Sequence, residues 1–207
     1  MTTADPHHLR RVQLIRKAVL AGFILGACFL AGIAHTPGGE HDFPEALERV
    51  GLAMIGFCVV GRGWCSLYIG GRKKAQIVDR GPYSISRNPL YVFSFIGAFG
   101  MGAQTGSMTI ALLFVLIAVV VFYATVLREE EFLATMFGAP YEAYCARTPR
   151  FWPDFSKWRD QETLEIRPTF FLLTLRDGSA MFLAIPLFEA IEHAQDVGWV
   201  HSIFTLP

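Results

Sequence analysis

Four apolar runs, at about 18–34, 47–69, 90–103 and 108–126, are separated by loops that hold nearly all of the charge, and this alternation constrains the fold more than any other feature. Inside a bilayer every backbone N–H and C=O must be satisfied within its own segment, so apolar runs of this kind become helices. A hydrocarbon core about 30 Å thick asks for about 20 such residues, and a slightly short run extends over its flanks. A fifth apolar stretch, 170–191, is broken by Arg176-Asp177-Gly178 and by Pro186. It reads either as an imperfect span or as an interfacial helix followed by a short inserted one. The expected fold is therefore all-α, a polytopic helical membrane protein with about five transmembrane helices.

Composition agrees. Apolar residues make up 53% of the chain and charged residues only 17%, a balance far from that of an ordinary soluble domain. The net charge of zero excludes the broad basic field of a nucleic-acid binder. Cys28, Cys58, Cys65 and Cys145 lack CxxC or Cys/His ligand spacing, so neither a metal nor a disulfide is expected. The histidines, His7, His8, His35, His41, His193 and His201, show no ligand spacing either and read as surface residues. The basic N-terminus before the first run resembles a secretory leader, but its exit, Ala34-His35-Thr36-Pro37-Gly38, lacks a small-x-small cleavage site, and the run reads as a retained helix.

Outside the apolar runs, Lys and Arg lie in alternate loops: the N-terminus, the 70–87 loop and the region after Arg128 are basic, whereas the 35–46 loop and the 104–107 turn contain none. By the positive-inside rule the basic loops face the cytoplasm. Runs three and four form an antiparallel hairpin with a charged motif at each foot. One is Arg87-Asn88-Pro89-Leu90-Tyr91, the other the acidic triplet Glu129-Glu130-Glu131. Pro89 suits the first turn of the third helix and keeps Asn88 out of it, which leaves Arg87 and Asn88 on the loop side of a helix N-terminus, a natural anion site. The fourth run is expected to end at Arg128, followed by a polar segment with amphipathic spacing at Phe132, Leu133, Met136 and Phe137, then aromatics from Phe151 to Trp158 that suit the headgroup level. Arg62 interrupts the second run; it meets a carboxylate of the site or extends to the interface. Gly97, Gly100 and Gly102 suit close helix packing.

The run Gly81-Pro82-Tyr83…Arg87-Asn88-Pro89-Leu90-Tyr91, the Glu129-Glu130 pair and Phe137-Gly138-x-x-Tyr141-x-x-Tyr144 together resemble the C-terminal signature of the isoprenylcysteine carboxyl methyltransferase and phospholipid methyltransferase superfamily, integral-membrane enzymes that use S-adenosyl-L-methionine. The resemblance implies one domain, 1–207, made of an N-terminal helix pair (1–75), a signature region (76–153) and a C-terminal amphipathic or membrane extension (154–207). It implies a cofactor pocket shaped by Tyr83, Arg87, Asn88, Pro89, Tyr91, Glu129 and Glu130, with Tyr141, Tyr144 and Arg147 on a covering helix. Arg87 would hold a carboxylate, Glu129 and Glu130 an ammonium or ribose, and Tyr83 and Tyr91 would offer hydroxyls and ring faces. Glu131 would stay in solvent. Arg87 and Glu130 are the residues expected to act in catalysis, Glu130 as base if the acceptor is an amine or thiol. Two departures stand out: Asn88 occupies a position often held by His, and Phe93 one often held by Gly, where it would narrow the acceptor entrance.

The implied function is methyl transfer to a lipophilic acceptor, an isoprenylcysteine-like carboxylate or a phospholipid amine or thiol, at the cytoplasmic face of a bacterial inner membrane. The bilayer and that acceptor are the expected partners. Two other readings share the pattern: a sterol-type membrane reductase using NADPH, which the acidic pair disfavours because a 2′-phosphate prefers bases, and a silent membrane scaffold that keeps the fold.

Overall fold

The computed structural model describes residues 34–35, 43–72, 75–199 and 204–205. The first apolar run, 18–34, lies almost wholly outside the described residues, as do the N-terminal bases. The second run forms α1 (Phe43–Ile69), starting four residues earlier than the hydropathy pattern suggests. A single turn, α2 (Pro82–Ile85), precedes the hairpin of α3 (Pro89–Ala103) and α4 (Met108–Phe137). Then come α5 (Ala139–Arg147), a 3-10 turn at Phe155–Lys157, and α6 (Pro168–Ser179), which a 3-10 turn at Ala180–Leu183 joins to α7 (Ala184–Asp196). Ala34–His35 (β1) pairs in parallel with Phe204–Thr205 (β2), an isolated two-residue contact.

Among the described residues, α1, α4 and the 168–196 rod are long and apolar enough to cross a membrane. The Arg176-Asp177-Gly178 interruption does not break the last stretch: the Arg176 and Asp177 side chains pair with each other at 3.0 Å in the open, and the chain stays helical through it. The third run is a true helix but a short one, 15 residues or about 22 Å, less than the thickness of a hydrocarbon core.

Small residues set the packing. A Cβ added at Gly100 would lie 2.6 Å from the Gly51 carbonyl oxygen, and one at Gly102 would lie 2.6 Å from the Ala111 Cα, so α3 meets α1 and α4 backbone to backbone. In lipid, where apolar burial drives little, such close approach is a main source of helix association. α1 and α3 run antiparallel, with Gly51 against Gly100 and Gly61 against Phe93. α7 closes the bundle through Ala184 and Phe188, packed on Ala98, Ile110, Phe114 and Ala118. The opposite side of α4 presents Leu112, Leu116 and Val120 outward, as a lipid-facing helix does.

Two sequence expectations change. The fourth helix does not stop at Arg128 but continues unbroken through the acidic triplet to Phe137, where Gly138 at φ 59° ends it. Arg62 meets no carboxylate among the described residues: its Nη1 donates to the Ser94 hydroxyl on α3.

Candidate functional site

Around the pocket end of α1, α3 and α4 the chain is held by a network of local bonds. Gly81 adopts φ 56° beneath the Tyr68 ring, where any Cβ would fall 2.3 Å from ring carbons. Every residue of α2 is buried. The segment after α5 straps across this loop: the Arg87 amide donates to the Pro149 carbonyl at 2.8 Å, the Asp154 amide to Ile85 at 3.0 Å and the Gly81 amide to Arg159 at 2.8 Å. The Ser86 hydroxyl donates to the Phe151 carbonyl at 3.1 Å. Arg87 and Asn88 are thereby fixed between two backbone segments before Pro89 starts α3.

Charge converges on Glu130, whose side chain is only 12% exposed. Arg87 Nε lies 3.4 Å from one carboxylate oxygen and Asn88 Nδ2 donates to the same oxygen at 3.1 Å. Arg150 donates to the other through Nε at 3.0 Å, with its Nη2 2.9 Å from the same oxygen. Glu129, one residue earlier and rotated about 100° around the helix, accepts instead from the Tyr91 hydroxyl at 3.3 Å. Successive acids on α4 thus serve different parts of the site, while Glu131 faces solvent.

Tyr83, Arg87, Asn88, Tyr91, Glu129, Glu130, Tyr141 and Tyr144 line one cavity of about 160 Å³, with Ile69, Ile77, Val78, Leu90 and Leu133 as its apolar wall and Gln76 at its edge. Pro89 is buried at the start of α3 and does not line it. α5 covers the cavity: the Tyr144 hydroxyl donates to the Tyr83 carbonyl at 2.8 Å. Burial pushes the Tyr83, Tyr141 and Tyr144 phenols well above the usual tyrosine range, so all three are neutral donors at physiological pH. Arg147 lies outside, bonded to Asp79 at 2.5 Å with its guanidinium over the Tyr144 ring. Phe93 packs on Gly61 of α1 and is absent from the cavity wall.

Sequence reasoning did not single out Arg150, the apolar wall 77–78 or Asp79. Arg150 directly precedes the aromatics from Phe151 to Trp158, and nothing in the spacing shows that the strap turns back to Glu130.

The residues present fit S-adenosyl-L-methionine. Arg87 Nε is buried and, beyond its 3.4 Å ion contact with Glu130, makes no hydrogen bond, so among the described residues its N–H groups are left to take an oxyanion. The Glu129 and Glu130 carboxylates in the lining suit an ammonium, and the Ile69-Ile77-Val78-Leu133 wall suits an adenine ring.

The family model for phospholipid methyltransferase matches residues 58–140, the stretch that carries α1's second half, the hairpin and the acidic pair. The chain is 38% identical to the nickel-cobalt-cadmium resistance protein NccN of Alcaligenes xylosoxydans xylosoxydans over 202 residues, covering 97% of this chain and 90% of that one. It is 34% identical to the cobalt-zinc-cadmium resistance protein CzcN of Cupriavidus metallidurans, with 77% and 74% covered. A shorter match, 32% over 90 residues and covering 43% of this chain and 38% of the other, is to the protein-S-isoprenylcysteine O-methyltransferase of Schizosaccharomyces pombe. No solved structure matches. With its signature residues gathered at one end of a helical membrane fold, the chain belongs to the superfamily of phospholipid methyltransferases and isoprenylcysteine carboxyl methyltransferases.

Proposed function

We propose that this protein transfers a methyl group from S-adenosyl-L-methionine to a lipophilic acceptor at the cytoplasmic face of a bacterial inner membrane. The observation that carries the reading is Arg87, buried and without a hydrogen bond, in a cavity that two carboxylates also line, one of them in ion contact with it at 3.4 Å.

When bound, the cofactor supplies an electrophilic methyl on a sulfonium, and the transfer is an in-line displacement for which alignment and electrostatics are the main requirements. Arg87 holds the cofactor's carboxylate; Glu129 and the Tyr91 hydroxyl face its ammonium; the apolar wall takes the adenine. Glu130 keeps Arg87, Asn88 and Arg150 in register. Its oxygens already accept from Asn88 and Arg150, and one of them lies 3.4 Å from the Arg87 Nε. An acceptor that is itself a carboxylate, which needs no proton removed, is therefore the chemistry this arrangement supports best. Substrate reaches the site laterally from lipid, since the cavity lies where the apolar helices end. Two relatives are named for metal resistance, and a resistance role shared with them would run through the acceptor that is methylated.

Calorimetric titration of the detergent-purified protein tests the reading. S-adenosyl-L-methionine and its demethylated product should bind saturably, and Arg87→Ala should lose that binding while the protein stays folded. Heat from NADPH in place of both would favour the reductase, and silence from all three ligands would favour a scaffold.

A further inference from the structure

Arg62 lies seven residues, about 10 Å, before the end of α1 at Ile69, and Ile69 lines the cavity. Ser94 sits one helical turn beyond Leu90, another lining residue. The Arg62–Ser94 pair therefore lies on the membrane side of the cavity, one turn below its wall.

The pair leaves part of the guanidinium unsatisfied. Nη1 donates to Ser94 Oγ, whose own hydrogen goes to the Leu90 carbonyl at 2.8 Å. Nε is buried without a partner, and among the described residues no carboxylate pairs with the guanidinium. The apolar run 18–34 contains no Asp or Glu that could supply one. Extension to the near headgroups does not explain the residue either. Helical side chains lean toward their own N-terminus, and the N-terminus of α1 is the end far from the cavity, so Arg62 leans inward. A charge held inside a span with no counter-ion among the described residues points to a ligand that supplies one.

We propose that Arg62 and Ser94 hold the oxyanion of the acceptor, an amphiphile bearing a carboxylate or a phosphate. The inference rests on the methyltransferase reading for what the bound molecule is, and on the unpaired guanidinium for where it binds. A planar fork with free N–H groups takes either oxyanion in two-pronged fashion. Beside it, Phe57 and Phe93 meet edge to face at 5.4 Å, and Phe57 is 58% exposed, which gives an apolar tail a path from lipid to the charge.

The test uses the full-length protein in phosphatidylcholine nanodiscs, titrated with S-farnesyl-N-acetylcysteine and dioleoyl phosphatidic acid, each beside its uncharged counterpart, the carboxamide and dioleoylglycerol. At least one anionic probe should bind about tenfold more tightly than its neutral partner, the scale of one hydrogen bond to a charged group. Arg62→Gln should abolish that preference and Arg62→Lys retain most of it. Whichever anion shows the effect identifies the source, carboxylate or phosphate. Equal binding of charged and neutral probes by the wild type, or a preference that survives Arg62→Gln, overturns the proposal. Should Arg62→Gln fail to fold, Ser94→Ala decides: a weakened preference supports the site and an unchanged one overturns it. Titrating the same preparations with S-adenosyl-L-methionine keeps the two ideas apart. Absence of that binding with the oxyanion preference intact would sink the methyltransferase reading and leave the anion site standing.

Discussion

Glu130 carries more of the site's organisation than any other side chain, because removing its charge leaves Arg87 and Arg150 without the carboxylate they share. Breaking such a partly buried pair from one side costs about 3 kcal/mol. Glu130→Gln should therefore weaken S-adenosyl-L-methionine binding by about tenfold or more, read by calorimetry, whereas Glu131→Gln, on an exposed side chain, should leave it unchanged. Equal losses from both would refute the assignment. The opposition of Arg87 to Glu130 was legible in the sequence from the two charged feet of a hairpin. Arg150 was not, because its approach depends on how an irregular strap folds back. Tyr144 offers a separate test. Tyr144→Phe removes a buried bond to the Tyr83 carbonyl and should cost about 1–2 kcal/mol of stability. Burial holds the Tyr144 phenol above its unfolded value, so the neutral form is favoured in the folded state. Its contribution is complete below about pH 10 and is lost as the pH rises beyond that toward the folded value. Thermal unfolding in detergent should show a flat midpoint to about pH 10 and then a decline, less steep in Tyr144→Phe.

At the scale of elements, the helices are positioned by what small residues allow rather than by polar pairing. Gly100→Ala would drive a Cβ to 2.6 Å from the Gly51 carbonyl and 3.0 Å from the Ile55 amide, backbone atoms that cannot yield cheaply. Gly56 has nothing within 4 Å of the same added atom. Detergent unfolding should show Gly100→Ala strongly destabilised and Gly56→Ala unchanged or slightly stabilised, by up to about 1 kcal/mol from helix propensity. The Phe93–Gly61 contact predicts compensation between two helices. Gly61→Ala would meet the Phe93 ring at 2.2 Å and destabilise; adding Phe93→Ala should recover part of the loss. Such non-additivity is the mark of residues in direct contact. The hairpin could be read from hydropathy because α3 and α4 are nearly uninterrupted apolar runs. The reach of α4 to Phe137 could not, since the charges after Val126 look like the end of a span. Yet Leu, Arg, Glu, Ala and Met are all strong helix formers, and no Gly or Pro intervenes before Gly138.

For the molecule as a whole, the length of α4 sets the level of the site. Its 30 residues span about 45 Å, against a hydrocarbon core of about 30 Å. Counting from Met108, the apolar part is used up near Leu127, so Glu129 and Glu130 emerge just above the lipid while the helix goes on to support α5. The Gln104–Ser107 turn lies at the other end, where Gln104 Nε2 donates to the Glu48 carbonyl of α1 at 3.0 Å. Lys and Arg collect at the cavity end of the described helices, and that end should face the cytoplasm, where S-adenosyl-L-methionine is made. Single cysteines at exposed positions on opposite ends decide the orientation. A membrane-impermeant thiol reagent added to intact spheroplasts should modify Glu45→Cys and spare Glu131→Cys, both read against the native cysteines, of which Cys58 and Cys65 are buried. Permeabilisation should expose Glu131→Cys as well. Labelling of Glu131→Cys in sealed cells would put the cavity on the outer face, away from any supply of the cofactor, and the methyl-transfer reading would fall with it.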